Sequence, residues 1–379
     1  MYTDYDLLIR AGRVFCSESG FDGPGAVGVR GDRIVAAGPD VAGTSSETLE
    51  FPEALLLPGL VDLHAHPARG ESKYGVDPDV EFLPRGVTTV LSQGDAGAVN
   101  WTRYRKRVIE GCRTRVRLAI NLSSQGESMP GGCFEDLDWV DVNACASAVE
   151  DKGEAIWGIA VNVSRIACGN NDPHEVMRRA LRAAEGTGLP LLYGLRNPQE
   201  WPLAEQLDLL QPGDVLTYLY RSGAWNIVQA DGRVHPAIRE ARRRGVLFDI
   251  GHGMSSFVFD VAEAAMADGF PPDTISTDSY ARHVSSDPPH DLPRTMSKLL
   301  AAGMPEADVF TAVTSRPAAV LGLSDEIGTL TVDSCADLTV LRWNDTALPL
   351  VDVEGNQRSG GCWEPIFTVR AGQPVAAAR

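Results

Sequence analysis

The chain has 379 residues, 44% of them apolar, and a formal net charge of −17. That length suits one barrel-sized domain with a smaller appendage, and the acidic balance sets aside nucleic acid, whose phosphates need basic patches. No run approaches the ~20 apolar residues of a membrane span, and the opening MYTDYDLLIRAGRVF lacks the basic-then-apolar profile of a secretory signal. The expectation is a cytoplasmic protein that works on a small molecule.

Seven scattered cysteines without CxxC spacing fit reduced, buried thiols better than a disulfide framework or a zinc knuckle. Arginine far outnumbers lysine, which occurs only at Lys73, Lys106, Lys152 and Lys298. That bias is what a GC-rich bacterial genome gives.

In chain order, residues 4 to about 54 run in short alternating segments broken by Gly and Asp turns, the pattern of small antiparallel strands. A matching set, IGTLTVDSCADLTVLRW and CWEPIFTVRAGQPV, lies near the other end. Neither set alone makes a stable sheet, so 1–57 and 325–379 are expected to form one composite β-sandwich. Between them, 58–324 alternates strand and helix. The strand phrases are GVTTVLSQGD, VRLAINLS, AIWGIAVNVS, LPLLYGLRN, GDVLTYLYRS, GVLFDIGHG and DTISTDSY, preceded by LVDLH. Eight such units predict a (β/α)8 barrel with functional groups at the C-terminal strand ends. A doubly wound open sheet is the alternative, but no Gly-rich phosphate fingerprint follows the first strand.

The organising stretch is Leu55–Gly70, LLLPGLVDLHAHPARG. A strand carrying His64 and His66 at i and i+2 turns both imidazoles to one face, where they can grip one cation. The phrase PGLVDLHAH closely resembles the opening motif of the metal-dependent amidohydrolase superfamily, and within it the D-aminoacylase-like and dihydroorotase-like deacetylases. RPAAVLGL followed by IGTL and ADLTVL resembles the same family's return into its sandwich. The resemblance implies that Asp278, at the end of the eighth strand, ligates the metal held by the pair and shuttles a proton from its water.

Other positions depart from that family's pattern. A carboxylated lysine usually sits on the fourth strand, where this chain has Ala160; none of the four lysines replaces it. Gly194 and Tyr218 stand where the fifth and sixth strands usually present histidines. A two-metal site is therefore not expected. His64, His66 and Asp278 remain, the ligand count of a mononuclear catalytic site, for which zinc is suited and iron or manganese are alternatives.

Around this trio, His252 in the GHG turn is a candidate acid/base and Tyr218 a candidate hydrogen-bond donor to a carbonyl or oxyanion. Arg196 is a candidate carboxylate clamp. Gln93, Asp95 and Asn162 are candidate pocket residues. The turn-rich segments 124–136 and 278–293 are expected to set specificity. The functional expectation is hydrolysis of an amide or cyclic amide C–N bond by a single metal-bound water. Two rivals stay open: a metal-independent cyclase, lyase or isomerase, and a degenerate ligand-binding homologue. A homo-oligomer is possible.

Overall fold

A computed structural model describes residues 4–151 and 155–378; Lys152 lies outside them. Two seven-stranded sheets divide the chain. The first uses both chain ends. It contains β1 (Tyr5–Cys16), β2 (Phe21–Arg30), β3 (Arg33–Gly38) and β4 (Ser45–Pro58). The second, formed by the middle of the chain, runs from β5 (Leu60–Ala65) and β6 (Val87–Gln93) through β7 (Arg115–Asn121) and β8 (Ile156–Asn162). It continues with β9 (Leu191–Gly194), β10 (Val215–Leu216) and β11 (Leu247–Phe248). Four late strands follow: β12 (Leu338–Asn344), β13 (Leu350–Val351), β14 (Gln357–Arg358) and β15 (Cys362–Arg370), before the last, β16 (Gln373–Ala376).

The end sheet has the order β16-β15-β12-β4-β1-β2-β3. Its joint between chain ends is the antiparallel pairing of β4 with β12, which sets Leu56 against Val340 and Leu57 against Thr339. Ile9, Val14, Val27, Ile34, Leu56, Leu338 and Val369 give it a core of its own. β13 and β14 form a separate small hairpin.

Only Gly59 separates β4 from β5, and its missing side chain matters. A Cβ there would lie 2.3 Å from Thr88 Oγ1 and 3.0 Å from Asp337 Cβ. The chain therefore passes from one sheet to the other through a space that admits only glycine.

Strands β5 to β11 pair in sequence, all parallel. The eighth phrase, DTISTDSY, makes only single bridges, Asp249 to Thr274 and Ala65 to Ser279. These two contacts join it to β11 on one side and β5 on the other, closing the ring. Leu63, Leu91, Ala119, Ala160, Leu192 and Val215 form an apolar cluster inside it. Two residues further along the same strands come Gln93, Asn121, Asn162, Gly194 and Thr217, on the same inward face by the two-residue period of a strand. The barrel thus has an apolar floor and a polar mouth.

The segment NWTRYRKRVIEGCRTR is helical over only part of its length. It is α-helical over Trp101–Tyr104 and widens to a π-turn over Arg105–Ile109. The amphipathic helix Pro173–Thr187 is regular, capped by Asp172 at its start and by Gly188 in the left-handed region at its end. Among the described residues no helix is long and apolar enough to cross a membrane.

Candidate metal centre

His64 and His66 leave the end of β5 fully or almost fully buried, and each has its Nδ1 occupied. His66 Nδ1 donates to Asp95 Oδ1 at 2.9 Å; that carboxylate also accepts from Ser72 Oγ (2.5 Å) and Ser92 Oγ (2.6 Å). His64 Nδ1 lies 2.8 Å from Thr217 Oγ1, whose own hydroxyl proton goes to Asp249 Oδ2 at 2.9 Å. Because Thr217 spends its only proton on Asp249, His64 Nδ1 is the donor in the neutral imidazole. Both rings therefore turn Nε2 lone pairs toward one point.

The third group at that point is Asp278, with Oδ1 3.4 Å from Nε2 of both histidines. The ligand atoms of His64, His66 and Asp278 lie within 4.8 Å of one another, and no other such group of His, Cys, Asp or Glu occurs among the described residues. Two lone pairs and a carboxylate oxygen facing each other repel unless a positive charge sits between them. A divalent cation satisfies this arrangement, with hydrogen bonds behind each imidazole fixing its orientation as metal sites require. The donor set, two imidazoles and one carboxylate, is suited to zinc and to iron or manganese. Without a metal the charge must be a proton. Burial lowers the His66 pKa, but Asp95 and Asp278 outweigh it and raise it to about 10. In Asp278, burial is in turn outweighed by the two imidazoles, which hold the carboxyl well below the usual range.

The backbone is strained at the site. Asp278 (φ 48°) and Tyr218 (φ 68°) both adopt the left-handed region without being glycine. The GHG turn explains its own composition. A Cβ on Gly251 would lie 2.2 Å from Thr217 Oγ1, and one on Gly253 would lie 2.4 Å from Asp278 Oδ2; both glycines also have positive φ. They let the turn press against one group that orients His64 and against the carboxylate itself.

A cavity of ≈ 190 Å³ opens beside the trio, lined by His66, Gln93, Asn162, Tyr218 and Asp278 among others. Tyr218 Oη is 3.4 Å from His64 Nε2. Burial raises the phenol's pKa, followed by the nearby Asp278 charge, so it remains a hydrogen-bond donor. Asn162 packs against Gly194, where a Cβ would meet its side chain at 2.8–3.2 Å. Gln93, Asn162 and Tyr218 thus stand in the cavity wall.

Three other sequence candidates lie elsewhere. Asp95 is fully buried behind His66 and is not in the cavity lining. Arg196, also outside it, donates to Glu200 Oε2 at 2.5 Å and to the Val163 carbonyl at 3.4 Å. His252 turns away from the trio. Its Nδ1 donates to the Gly253 carbonyl at 2.8 Å, its Nε2 accepts from buried Lys298 Nζ at 2.8 Å, and its ring stacks on Phe257. Burial, then the Lys298 charge, pushes its pKa well down.

The structure adds wall residues that the sequence did not single out: Lys73, Tyr74, Glu127, Arg221 and Tyr280. Lys73 pairs with Glu127 at 2.9 Å and bonds the Gly131 carbonyl at 2.6 Å, tying the loop after β5 to the segment 124–136. Tyr74 and Tyr280 meet edge to face beside His66. One signal was available: Tyr280 and Arg221 each follow a singled-out residue, Asp278 or Tyr218, by two or three positions.

A family model described as the amidohydrolase family matches residues 237–361. A deacetylase of Agrobacterium fabrum is 32% identical over 353 residues, covering 92% of this chain and 85% of the relative. Two crystal structures, one of an adenine deaminase and one of a dihydroorotase, superpose with a TM-score of 0.88 at 30% identity. Each comparison covers 98% of this chain, with 100% of the deaminase and 98% of the dihydroorotase.

Proposed function

The chain belongs to the amidohydrolase family and is a hydrolase acting on carbon–nitrogen bonds; from that premise we propose that it cleaves an amide or cyclic amide using one divalent cation, zinc by preference, held by His64, His66 and Asp278. The observation that carries this reading is the convergence of two Nε2 lone pairs and one carboxylate oxygen on a single point. When bound there, a divalent cation supplies Lewis acidity, which makes water nucleophilic near neutral pH and polarises a carbonyl.

The chain's own groups do the rest. Asp278 takes a proton from the attacking water as the water oxygen bonds to the carbonyl carbon. It returns that proton to the nitrogen as the C–N bond breaks, leaving an acid and an amine. Gly253 leaves room for Oδ2, which a Cβ at that position would meet at 2.4 Å. Tyr218 donates a hydrogen bond from its phenol to the oxygen that gains charge. Asp95 directly and Asp249 through Thr217 hold the imidazoles in the required tautomer. Ala160, Gly194 and Tyr218 offer no ligand on the opposite strands, which favours one ion over two. The substrate is a small molecule, and a cytoplasmic setting accords with the sequence.

The test is turnover of a panel of N-acetyl amides and small cyclic amides before chelation, after it, and after zinc is restored. Loss on chelation and recovery with zinc are expected. Undiminished activity in metal-stripped protein contradicts the reading.

A further inference from the structure

Behind the GHG turn lies a buried amine that the chemistry above does not use. Lys298 belongs to the helix Leu292–Ala301 and is only 6% exposed. Among the described residues the one hydrogen bond of its Nζ goes to His252 Nε2, at 2.8 Å. Burial, followed by the Arg294 charge, lowers its pKa to about 8, with Asp352 opposing. Withdrawing an ammonium from water is costly, and a methionine would fill the same space without that cost. The cost is set against a single hydrogen bond, and that bond ends on the turn beside Asp278.

A neutral imidazole has one proton to give. With Lys298 donating to Nε2, that proton sits on Nδ1, which donates to the Gly253 carbonyl at 2.8 Å. The ring stacks on Phe257 at 5.1 Å and 11°, and meets His290 edge to face at 4.9 Å, so it cannot swing without displacing both. Gly253 in turn donates its N–H to the Thr277 carbonyl at 2.9 Å, and His290 Nε2 donates to the same oxygen at 2.8 Å. A Cβ on Gly253 would stand 2.4 Å from Asp278 Oδ2, so the turn abuts the carboxylate. Asp278 itself sits at φ 48°, a conformation that its surroundings must hold. Without the Lys298 donor the His252 proton is free to move to Nε2. The Nδ1 lone pair would then face the Gly253 carbonyl and repel it.

We infer that Lys298 is a positioning residue for Asp278: its bond to His252 fixes the tautomer that clamps the Gly253 carbonyl, and the clamped turn holds the carboxylate in line for proton transfer. The kinetic consequence rests on the hydrolase reading above; the tether from helix to turn does not. His252, which lies outside the cavity lining, transmits position and is not the acid/base its place in the sequence suggested.

The test separates alignment from folding. Full-length wild type, Lys298→Met and Lys106→Met are loaded with cobalt for spectroscopy and with zinc for kinetics; Lys106 is exposed and serves as the control. Methionine keeps the length of the lysine side chain and removes its donor. Lys298→Met should retain the ion but shift the visible absorption of the cobalt form, which reads ligand geometry. Its kcat should fall about 10–100-fold with KM held within about two-fold, the mark of a misaligned step and not of lost binding. Lys106→Met should change neither. A folded Lys298→Met with the wild-type spectrum and kcat overturns the assignment even if its thermal midpoint falls, since a purely structural lysine would do the same. Wild type that holds no cobalt, or turns over none of the amides, contradicts the hydrolase reading instead. The tether is then decided by the imidazole nitrogen-15 shifts of His252 in wild type, as it is if Lys298→Met does not fold. A neutral ring with its proton on Nδ1 supports the tether, and a proton on Nε2 overturns it.

Discussion

The two halves of the barrel mouth differ sharply. At the ends of β5 and the eighth segment, His64, His66 and Asp278 converge, and Asp95 beyond β6, Thr217 beyond β10, Asp249 beyond β11 and three serines back them with hydrogen bonds. On the side of β8 to β10, the corresponding inward positions are Ala160, Gly194 and the phenol of Tyr218. The first half has lone pairs that require a cation; the second has filled or emptied its space with neutral groups, Asn162 leaning into the gap at Gly194. A metal site is specified as much by what stands behind its ligands as by the ligands. On the proposed reading, one half of the mouth holds a cation and the other faces substrate.

Several variants break or sharpen that contrast. The largest effect is expected for Asp278→Asn, which removes both a ligand charge and the proton carrier: kcat should fall by roughly 10²–10⁴, measured on whichever amide the wild type turns over. Tyr218→Phe should cost kcat about 10²-fold while leaving the metal content unchanged, because the phenol acts on substrate. If the ion is lost with it, the two halves are not independent. Asp95→Asn should weaken zinc about 10–100-fold in a competition titration, with kcat recovering at saturating zinc. Gly194→Ala should lower stability by about 1–3 kcal/mol in denaturant titration, since its Cβ meets Asn162 at 2.8–3.2 Å. Asn162→Ala in the same chain should recover most of that loss.

The smallest effect concerns the proton that replaces the metal. In stripped protein the folded-state pKa of His66 is raised to about 10, above its unfolded value of about 6.5. Its protonation therefore contributes stability that is fully present below about pH 6.5 and is lost as pH rises toward 10. Thermal midpoints of stripped protein should fall across that window, and saturating zinc should flatten the fall.

Where the sequence spoke clearly, a regular element carried the message. His64 lies in the last residues of β5 and His66 one residue past its end. A register shift between Asp62 and Ala65 lets both face Asp278, while Leu63 belongs to the inward floor that runs to Val215. Both chain ends entering one sheet was legible from too few strands at either end. Legibility stopped where the strands stop. Arg196, a candidate carboxylate clamp from sequence, lies two residues past Gly194, where β9 ends, so alternation does not govern its side chain and its guanidinium turns to Glu200. Asp95 also lies beyond its strand, after Gln93, and reaches back to His66. His252 sits between two glycines of positive φ, a turn whose direction composition does not fix, and it faces Lys298. Arg221 was missed for the same reason, since it lies in a loop well past the two residues of β10.

The most direct measurement of the central claim is metal stoichiometry by mass spectrometry on protein dialysed against trace zinc, for wild type, His66→Ala and the double variant Ala160→Lys/Gly194→His. The account predicts about one tightly held ion per wild-type chain, loss of that ion in His66→Ala, and a turnover that tracks its occupancy. Two ions in the wild type, or retention of one in His66→Ala with activity intact, would contradict it.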